Sequence, residues 1–200
     1  MTAQHPEIRP EQSLELLKQL HILTRDGKLN QDSRRKLKQV YHLFNFIHPL
    51  LDELAADGRD YSVADHGAGK SYLGFILYDL YFKNNVGCGA VYGIESRAEL
   101  VEKSKALAAR LGFSGMSFFN LTVAESIDSP LLPERIDIVT ALHACDTATD
   151  DAIRFALARR APQLLLVPCC QAEVAAELNR NKQKMLVHPL AELWRHPLHT

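Results

Sequence analysis

The chain lacks the features that mark several classes of protein. It has four cysteines in 200 residues, and two of them are adjacent, which makes a disulfide framework a poor explanation of them. No apolar run is long enough to cross a bilayer, and no signal peptide is recognisable. The formal net charge of −1 gives no overall signature of nucleic-acid binding. We therefore expect a protein of the reducing cytoplasm that has no membrane span.

Hydrophobic residues make up 46% of the chain, which is enough to bury a core. Two regions differ in their pattern. Residues 1–58 carry two runs of apolar residues at helical spacing, and they predict an N-terminal helical cap. Residues 59–200 carry short apolar runs that alternate with helical patterns, and they predict an α/β domain.

The most informative stretch is Asp-His-Gly-Ala-Gly-Lys-Ser at residues 65–71. It follows a short apolar run at residues 61–64 that predicts a strand. It precedes residues 72–82, whose apolar side chains recur at helical spacing. A strand that ends in an acid, followed by a glycine turn and a helix, is how α/β folds build a nucleotide site. The predicted cofactor-binding residues here are Asp65, His66, Gly67, Ala68 and Gly69.

Three ligands could explain this turn. A dinucleotide pyrophosphate needs a small residue where Tyr72 stands, and a phosphate-binding P-loop needs glycine where Ala64 stands. Asp65 would also put a negative charge inside a phosphate cradle. S-adenosylmethionine has no phosphate and carries a positive ammonium and sulfonium, which an acid suits. The pattern favours this methyl donor and leaves the other two ligands as alternatives.

The next two predicted strands also end in polar residues. Residues 90–95 end in Glu95, and a carboxylate at that point can accept hydrogen bonds from both ribose hydroxyls. Residues 116–120 end in Asn120, whose amide can donate to and accept from an adenine edge. We therefore predict that Glu95 and Asn120 bind the same cofactor.

Two further strands follow in the predicted sheet. Residues 136–142 end in Leu142, which we place with the cofactor-binding residues, and residues 163–168 form the fifth strand. Strands that alternate with helices predict a parallel sheet covered on both faces.

Three segments together resemble a class I S-adenosylmethionine-dependent methyltransferase. They are Asp-His-Gly-Ala-Gly-Lys at residues 65–70, His-Ala-Cys-Asp-Thr-Ala-Thr-Asp at residues 143–150, and Cys-Cys at residues 169–170. More narrowly, these segments are similar to a group that includes methyltransferase-like proteins and tRNA 2′-O-methyltransferases that act on the acceptor stem. The resemblance covers roughly residues 35–175 and implies a Rossmann-like fold, S-adenosyl-L-methionine as cofactor, and RNA as one methyl acceptor.

The sequence leaves the chemical class of the methyl acceptor undecided. Asp146 stands where the RNA-modifying pattern has glycine, and Gln171 and Ala172 stand where it has two histidines. A small molecule or a protein is therefore an alternative acceptor to RNA. A non-catalytic scaffold that binds the donor is an alternative of another class, and the sequence indicates no oligomeric state.

A group of reactive side chains follows the fourth and fifth predicted strands. In a doubly wound sheet these strands are neighbours, so the group is expected in one cleft. His143 is the candidate catalytic base, because the pKa of imidazole lies near neutrality. The predicted substrate-side residues are Cys145, Asp146, Cys169 and Cys170. A nucleophilic cysteine and a zinc site are alternatives, and small buried cysteines without chemistry remain the simplest interpretation, so no metal is predicted.

The C-terminal part falls short of the expected sheet. The resemblance implies seven strands, of which the last two form an antiparallel hairpin. After the fifth strand the sequence offers only a helical pattern at residues 173–184 and a short run at residues 185–189. We expect that the C-terminal strands are missing and that the chain is a fragment of a longer protein, because an uncovered parallel edge invites aggregation.

Overall fold

A five-stranded parallel sheet organises the protein. The computed structural model describes residues 6–85, 89–142 and 147–167. The strands are β1 (Tyr61–His66), β2 (Gly89–Glu95), β3 (Met116–Asn120), β4 (Ile138–Leu142) and β5 (Gln163–Val167), in the order β3-β2-β1-β4-β5. Every pairing is parallel. This confirms the predicted α/β, Rossmann-like fold.

Helices connect the strands and precede the sheet. They are α1 (Leu14–Gln19), α2 (Gln31–Ala56), α3 (Tyr72–Leu80), α4 (Ala98–Leu111), α5 (Val123–Asp128) and α6 (Thr147–Ala158), with a 3₁₀ turn at Phe82–Asn84. Side chains cap the N-termini of α1 and α2. The Ser13 hydroxyl accepts from the Leu16 N–H, and the Asn30 side chain accepts from the Ser33 N–H. No helix in the described ranges is both long and apolar enough to cross a bilayer.

The N-terminal helices share a core with the sheet. Leu17 of α1 and Ile47 of α2 are fully buried in the same apolar cluster as Val63 of β1 and Phe75 of α3. The turn between α2 and β1 contains Gly58 in a left-handed conformation, at φ 66°. The predicted division of the chain at residue 58 falls in this turn and stays a prediction.

A second apolar cluster lies between the sheet and α6. It includes Ala64, Val139 and the fully buried Phe155. The buried guanidinium of Arg159 closes this layer, because it donates to the carbonyl oxygens of Ser126, Ser129, Leu132 and Pro133 at 2.7–3.3 Å. These bonds hold the loop before β4 against the end of α6.

The amino ends of β1 and β4 are tied by a buried carboxylate. Asp137, directly before β4, accepts from the Ser62 N–H at 2.9 Å and from Arg59 Nη1 at 2.8 Å. These hydrogen bonds hold the amino ends of β1 and β4 together, at the edge of the sheet opposite the predicted site. The helical pattern at residues 173–184 and the expected absence of C-terminal strands fall outside the described residues.

Candidate functional site

The loop after β1 turns through three left-handed residues. Gly67, Gly69 and Ser71 have φ values of 67°, 57° and 51°. Glycine adopts this region freely, whereas serine enters it only under constraint. That constraint is visible, because the Ser71 N–H donates to the Ala68 carbonyl at 2.6 Å and its hydroxyl donates to Asp65 at 3.0 Å. The turn therefore brings the first turn of α3 against the carboxyl end of β1.

Asp65 is a buried carboxylate at the centre of this edge. It is 3% exposed. Ser71 Oγ donates to its Oδ2 at 3.0 Å, and Thr140 Oγ1 of β4 donates to its Oδ1 at 3.2 Å. Burial raises the pKa of Asp65 to about 6, although both hydroxyl bonds oppose this rise. An ionised Asp65 is thus poorly solvated, and a positive ligand group beside it would stabilise its charge.

Gly74 allows α3 to pack directly on this carboxylate. A Cβ at Gly74 would lie 2.5 Å from Ser71 Oγ, 3.4 Å from Val91 Cγ1 and 3.6 Å from Asp65 Oδ2. A side chain here would push the Ser71 hydroxyl away from its acceptor. The close contact between helix and strand therefore depends on glycine at this position.

Glu95 ends β2 beside the loop and is held by several donors. The Gly69 N–H donates to its Oε2 at 2.8 Å, and the Arg97 N–H donates to its Oε1 at 2.9 Å. The Arg97 side chain adds bonds from Nε to Oε1 at 2.9 Å and from Nη2 to Oε2 at 3.2 Å. Burial raises the pKa of Glu95, but the bonds from Arg97 and Gly69 outweigh it and hold this pKa below its ordinary value. Glu95 is therefore ionised at neutral pH.

Asn120 lies beside Glu95 in the register of β2 and β3. Its Nδ2 donates to the carbonyl oxygens of Glu95 at 3.1 Å and of Ser96 at 2.8 Å. These bonds fix the amide across the carboxyl end of β2. The Ala68 N–H donates to the Ile94 carbonyl at 2.9 Å, which fixes the glycine loop to the same strand. The structure thus brings Asp65, Glu95, Asn120 and the loop to one edge of the sheet, and their role in cofactor binding stays a prediction.

His66 is the last residue of β1 and Leu142 is the last residue of β4, and Leu142 packs against the apolar cluster that contains Phe75 of α3. Leu142 is half-buried at the end of β4 and pairs with Val167 of β5. His66 is 4% exposed, and its ring centroid lies 5.1 Å from that of Phe155. Burial lowers the pKa of His66, and Nε2 has no hydrogen-bond partner among the residues that the structure describes. His66 therefore faces α6, whereas its neighbour Asp65 faces α3, as strand alternation requires.

The predicted reactive group lies outside the described residues. This applies to His143, Cys145, Asp146, Cys169 and Cys170, whose roles stay predictions. Within the described ranges, no cluster of histidine, cysteine and acidic side chains could hold a metal ion.

The structure also adds two residues that the sequence analysis missed. Thr140 contacts Asp65 because β1 and β4 are neighbours in register, which no local pattern reveals. Arg97 contacts Glu95 from two residues further along the chain. An arginine two residues after a strand that ends in an acid is the signal that could have found it.

A different cavity lies at the opposite edge of the sheet. It has a volume of about 510 Å³ and is lined at the amino ends of the central strands by Tyr61, Ser62 and Asp137, among others. Ligands of doubly wound sheets bind outside the carboxyl ends of the strands. The edge formed by Asp65 and Glu95 is therefore the better candidate site.

The chain is similar to known methyltransferases. A family model described as "Methyltransferase domain" matches residues 35–177. Among solved structures, magnesium protoporphyrin IX methyltransferase from Synechocystis with bound SAH has a TM-score of 0.49 and 19% identity, over 88% of this chain and 75% of that one. WbdD, solved with a kinase inhibitor, has a TM-score of 0.50 and 18% identity, over 86% of this chain and 36% of that one.

A third structural neighbour is the YcgJ protein of Bacillus subtilis, with a TM-score of 0.43 and 20% identity, over 66% of this chain. The chain spans 58% of the length of that protein. At 18% identity the match to WbdD supports the fold alone. The comparison with curated proteins gives no match.

Proposed function

Because the chain belongs to the methyltransferase-domain family, whose model matches residues 35–177, we propose that it transfers a methyl group from S-adenosylmethionine to an acceptor. The observation that carries this proposal is the pair of carboxylates at the ends of neighbouring strands. Asp65 is the last but one residue of β1 and Glu95 is the last residue of β2, and the Gly69 N–H donates from the glycine loop to Glu95 at 2.8 Å.

The residues at this edge fit the chemistry of the donor. Glu95 is an ionised acceptor that can take hydrogen bonds from two ribose hydroxyls where the Arg97 side chain gives up its own bonds. Asp65 is a desolvated carboxylate that a positive ammonium group would stabilise. The left-handed glycines at positions 67 and 69 keep Cβ atoms away from a ligand that approaches the backbone.

The adenine end of the donor would lie towards β3. Asn120 uses its Nδ2 on two backbone carbonyls, so its Oδ1 is the atom that can accept from an adenine amino group. Leu142 offers apolar surface at the end of β4, and His66 lines the boundary with α6. These three residues stay proposals as cofactor contacts.

The bound donor would supply an electrophilic methyl group on a positive sulfur. The chain itself aligns the donor with the acceptor and keeps water away from the reacting groups. His143 is the proposed general base, which removes a proton from an acceptor hydroxyl or amine. Cys145, Asp146, Cys169 and Cys170 are proposed to line the acceptor side of the cleft.

RNA is the proposed acceptor, and its support is the resemblance in the motifs at residues 65–70 and 143–150. A small molecule, a protein acceptor or a scaffold without turnover remain the alternatives. A methyl-transfer screen with labelled donor on RNA, protein and metabolite fractions separates them, because label appears in one fraction or in none.

Calorimetry tests the donor site directly. We expect S-adenosylhomocysteine to bind the purified chain and ATP not to bind, because Asp65 repels phosphate and Ala64 replaces the glycine of a P-loop. Binding of ATP without binding of S-adenosylhomocysteine would overturn the proposal.

A further inference from the structure

A cleft beside the glycine loop is lined by three cationic side chains that form no ion pair with the described part of the chain. It has a volume of about 400 Å³ and lies between the end of α1, the loop after β1 and α4. Lys70 contributes from the loop, and Lys103 and Arg110 contribute from α4. No aspartate or glutamate of the described chain lines this cleft. The three positive charges therefore face one space without a compensating acid.

The spacing of the cations suits an extended ligand. Lys103 and Arg110 are seven residues apart, so they lie on the same face of α4, about 10.5 Å apart along its axis. Lys70 adds a third charge from a separate segment. One small anion would neutralise part of this set, whereas a chain of anionic groups can contact all three.

In the described ranges, the three cations also have no acidic side chain as a partner. None of the three forms an ion pair there, whereas Lys105 on the same helix pairs with Glu102 at 2.8 Å. Arg97, at the start of α4, likewise pairs with Glu95. Like charges that share a cleft repel one another, and an anionic ligand would relieve that repulsion.

The floor of the cleft is formed by buried residues. Leu20 and Leu107 are buried beneath it, and Ser104 places a buried hydroxyl on the same helix face. His21, at the rim, holds a left-handed conformation at φ 56° because it ends α1. Its N–H donates to the Lys18 carbonyl at 3.0 Å and the Ile22 N–H donates to the Leu17 carbonyl at 2.8 Å, which fixes the end of α1 at the cleft.

We propose that this cleft binds the phosphate backbone of a single-stranded nucleic acid, which is the methyl acceptor. The proposal rests on the function proposed above, because Lys70 belongs to the loop that would hold the donor. An acceptor strand bound along α4 would run past this loop to the carboxyl edge of the sheet. Phosphate contacts of this kind position a strand and read no sequence.

The test compares two double variants that remove equal charge. Lys103→Gln/Arg110→Gln alters the cleft, and Lys105→Gln/Arg154→Gln removes one lysine and one arginine that form ion pairs elsewhere. Binding of a fluorescent single-stranded oligoribonucleotide is measured over a salt series. Each phosphate contact to a single strand contributes about 0.7 to the salt slope. The cleft variant should therefore lose about 1.4 from the slope and about 25-fold in affinity at 0.1 M salt.

The control variant should bind the oligonucleotide as the wild type does. Both double variants should keep the wild-type affinity for S-adenosylhomocysteine, which shows that they are folded. Equal weakening in both variants, or no binding by the wild type, overturns the inference. Binding of inorganic pyrophosphate with no binding of the oligonucleotide would indicate a small phosphorylated acceptor and overturn it as well.

The two proposals fail separately. If S-adenosylhomocysteine binds and the oligonucleotide does not, the methyl-donor site stands and the cleft proposal is wrong. If the oligonucleotide binds in the cleft and S-adenosylhomocysteine does not, the donor assignment is wrong and the cleft remains an anion site.

Discussion

The guanidinium of Arg97 covers the carboxylate of Glu95. Nε lies 2.9 Å from Oε1 and Nη2 lies 3.2 Å from Oε2. The N–H groups of Gly69 and Arg97 also donate to these oxygens. A carboxylate has about four lone-pair sites, so the donors occupy its full accepting capacity. Ribose hydroxyls could bind Glu95 only where the arginine side chain gives up its contacts.

Replacement of Arg97 by alanine should therefore strengthen donor binding. The Arg97 side chain is largely exposed, and an exposed ion pair is worth at most about 1 kcal/mol, so the gain should reach at most about fivefold. Calorimetric titration with S-adenosylhomocysteine measures it. Arg97→Lys is the matched control, and it should show a smaller gain. A loss of affinity in Arg97→Ala would show that Arg97 contacts the donor itself.

Replacement of Glu95 by alanine should weaken donor binding. Hydrogen bonds to a charged group are worth about 1.5–3 kcal/mol, and this variant also loses the anchor for the Gly69 N–H. The dissociation constant for S-adenosylhomocysteine is the measurement. Glu102→Ala removes an exposed acid of α4 and should leave the constant unchanged. An unchanged constant in Glu95→Ala would mean that Glu95 does not bind the ribose.

Donor affinity should depend on pH through Asp65. Burial, opposed by bonds from Ser71 and Thr140, raises the pKa of Asp65 to about 6. Above that value the carboxylate is charged and attracts an ammonium group. Below it the acid is neutral, so affinity should fall about tenfold for each pH unit. Titrations between about pH 5 and 8 check this, and Asp65→Asn should bind weakly with a flat profile. If the wild-type affinity does not change with pH, Asp65 does not bind the ammonium group.

Substitution of Gly74 tests the close packing of α3 against β1. Gly74→Ala would place a Cβ 2.5 Å from Ser71 Oγ, and overpacking of this kind costs about 1–3 kcal/mol. Chemical denaturation measures the loss. The double variant Ser71→Ala/Gly74→Ala removes the clashing oxygen and should recover part of it. If the double variant loses the sum of the two single losses, the clash is not with Ser71.

His143→Ala should separate chemistry from binding. If His143 is the general base, turnover should fall about 10²–10⁴-fold while the affinity for S-adenosylhomocysteine stays nearly unchanged. Turnover is measured on the acceptor that the methyl-transfer screen identifies. Parallel losses of affinity and turnover would assign His143 to the donor pocket instead. Full activity would exclude a catalytic role, and the zinc content of the wild type tests the remaining alternative.

The sequence predicted the strands whose carboxyl ends form the candidate site. Strands β1, β2 and β3 end at Asp65, Glu95 and Asn120 or one residue beyond, and parallel strands bring their carboxyl ends to the same edge. The helix after the loop was predicted at residues 72–82, and α3 covers Tyr72–Leu80. Local spacing was enough for these features because each depends on neighbours within a few residues.

Other contacts could not be predicted in this way. The bond from Thr140 to Asp65 depends on the register of two strands that are far apart in the chain. The bonds from Arg97 to Glu95 depend on a rotamer, which no periodicity reveals. The cleft depends on how the end of α1, the loop after β1 and α4 come together, and Lys70, Lys103 and Arg110 share no sequence motif.

The central position of β1 has a consequence for the order in which the protein folds. Its partner β2 follows it closely in the chain, whereas the bond between Asp65 and Thr140 spans 75 residues. Contacts at long separation must overcome the entropy of closing a long loop, and they slow folding. During synthesis, β1, β2 and β3 can pair before β4 leaves the ribosome. We therefore expect β1 to remain an open sheet edge until late, so that the carboxylate at its end is enclosed only when β4 docks.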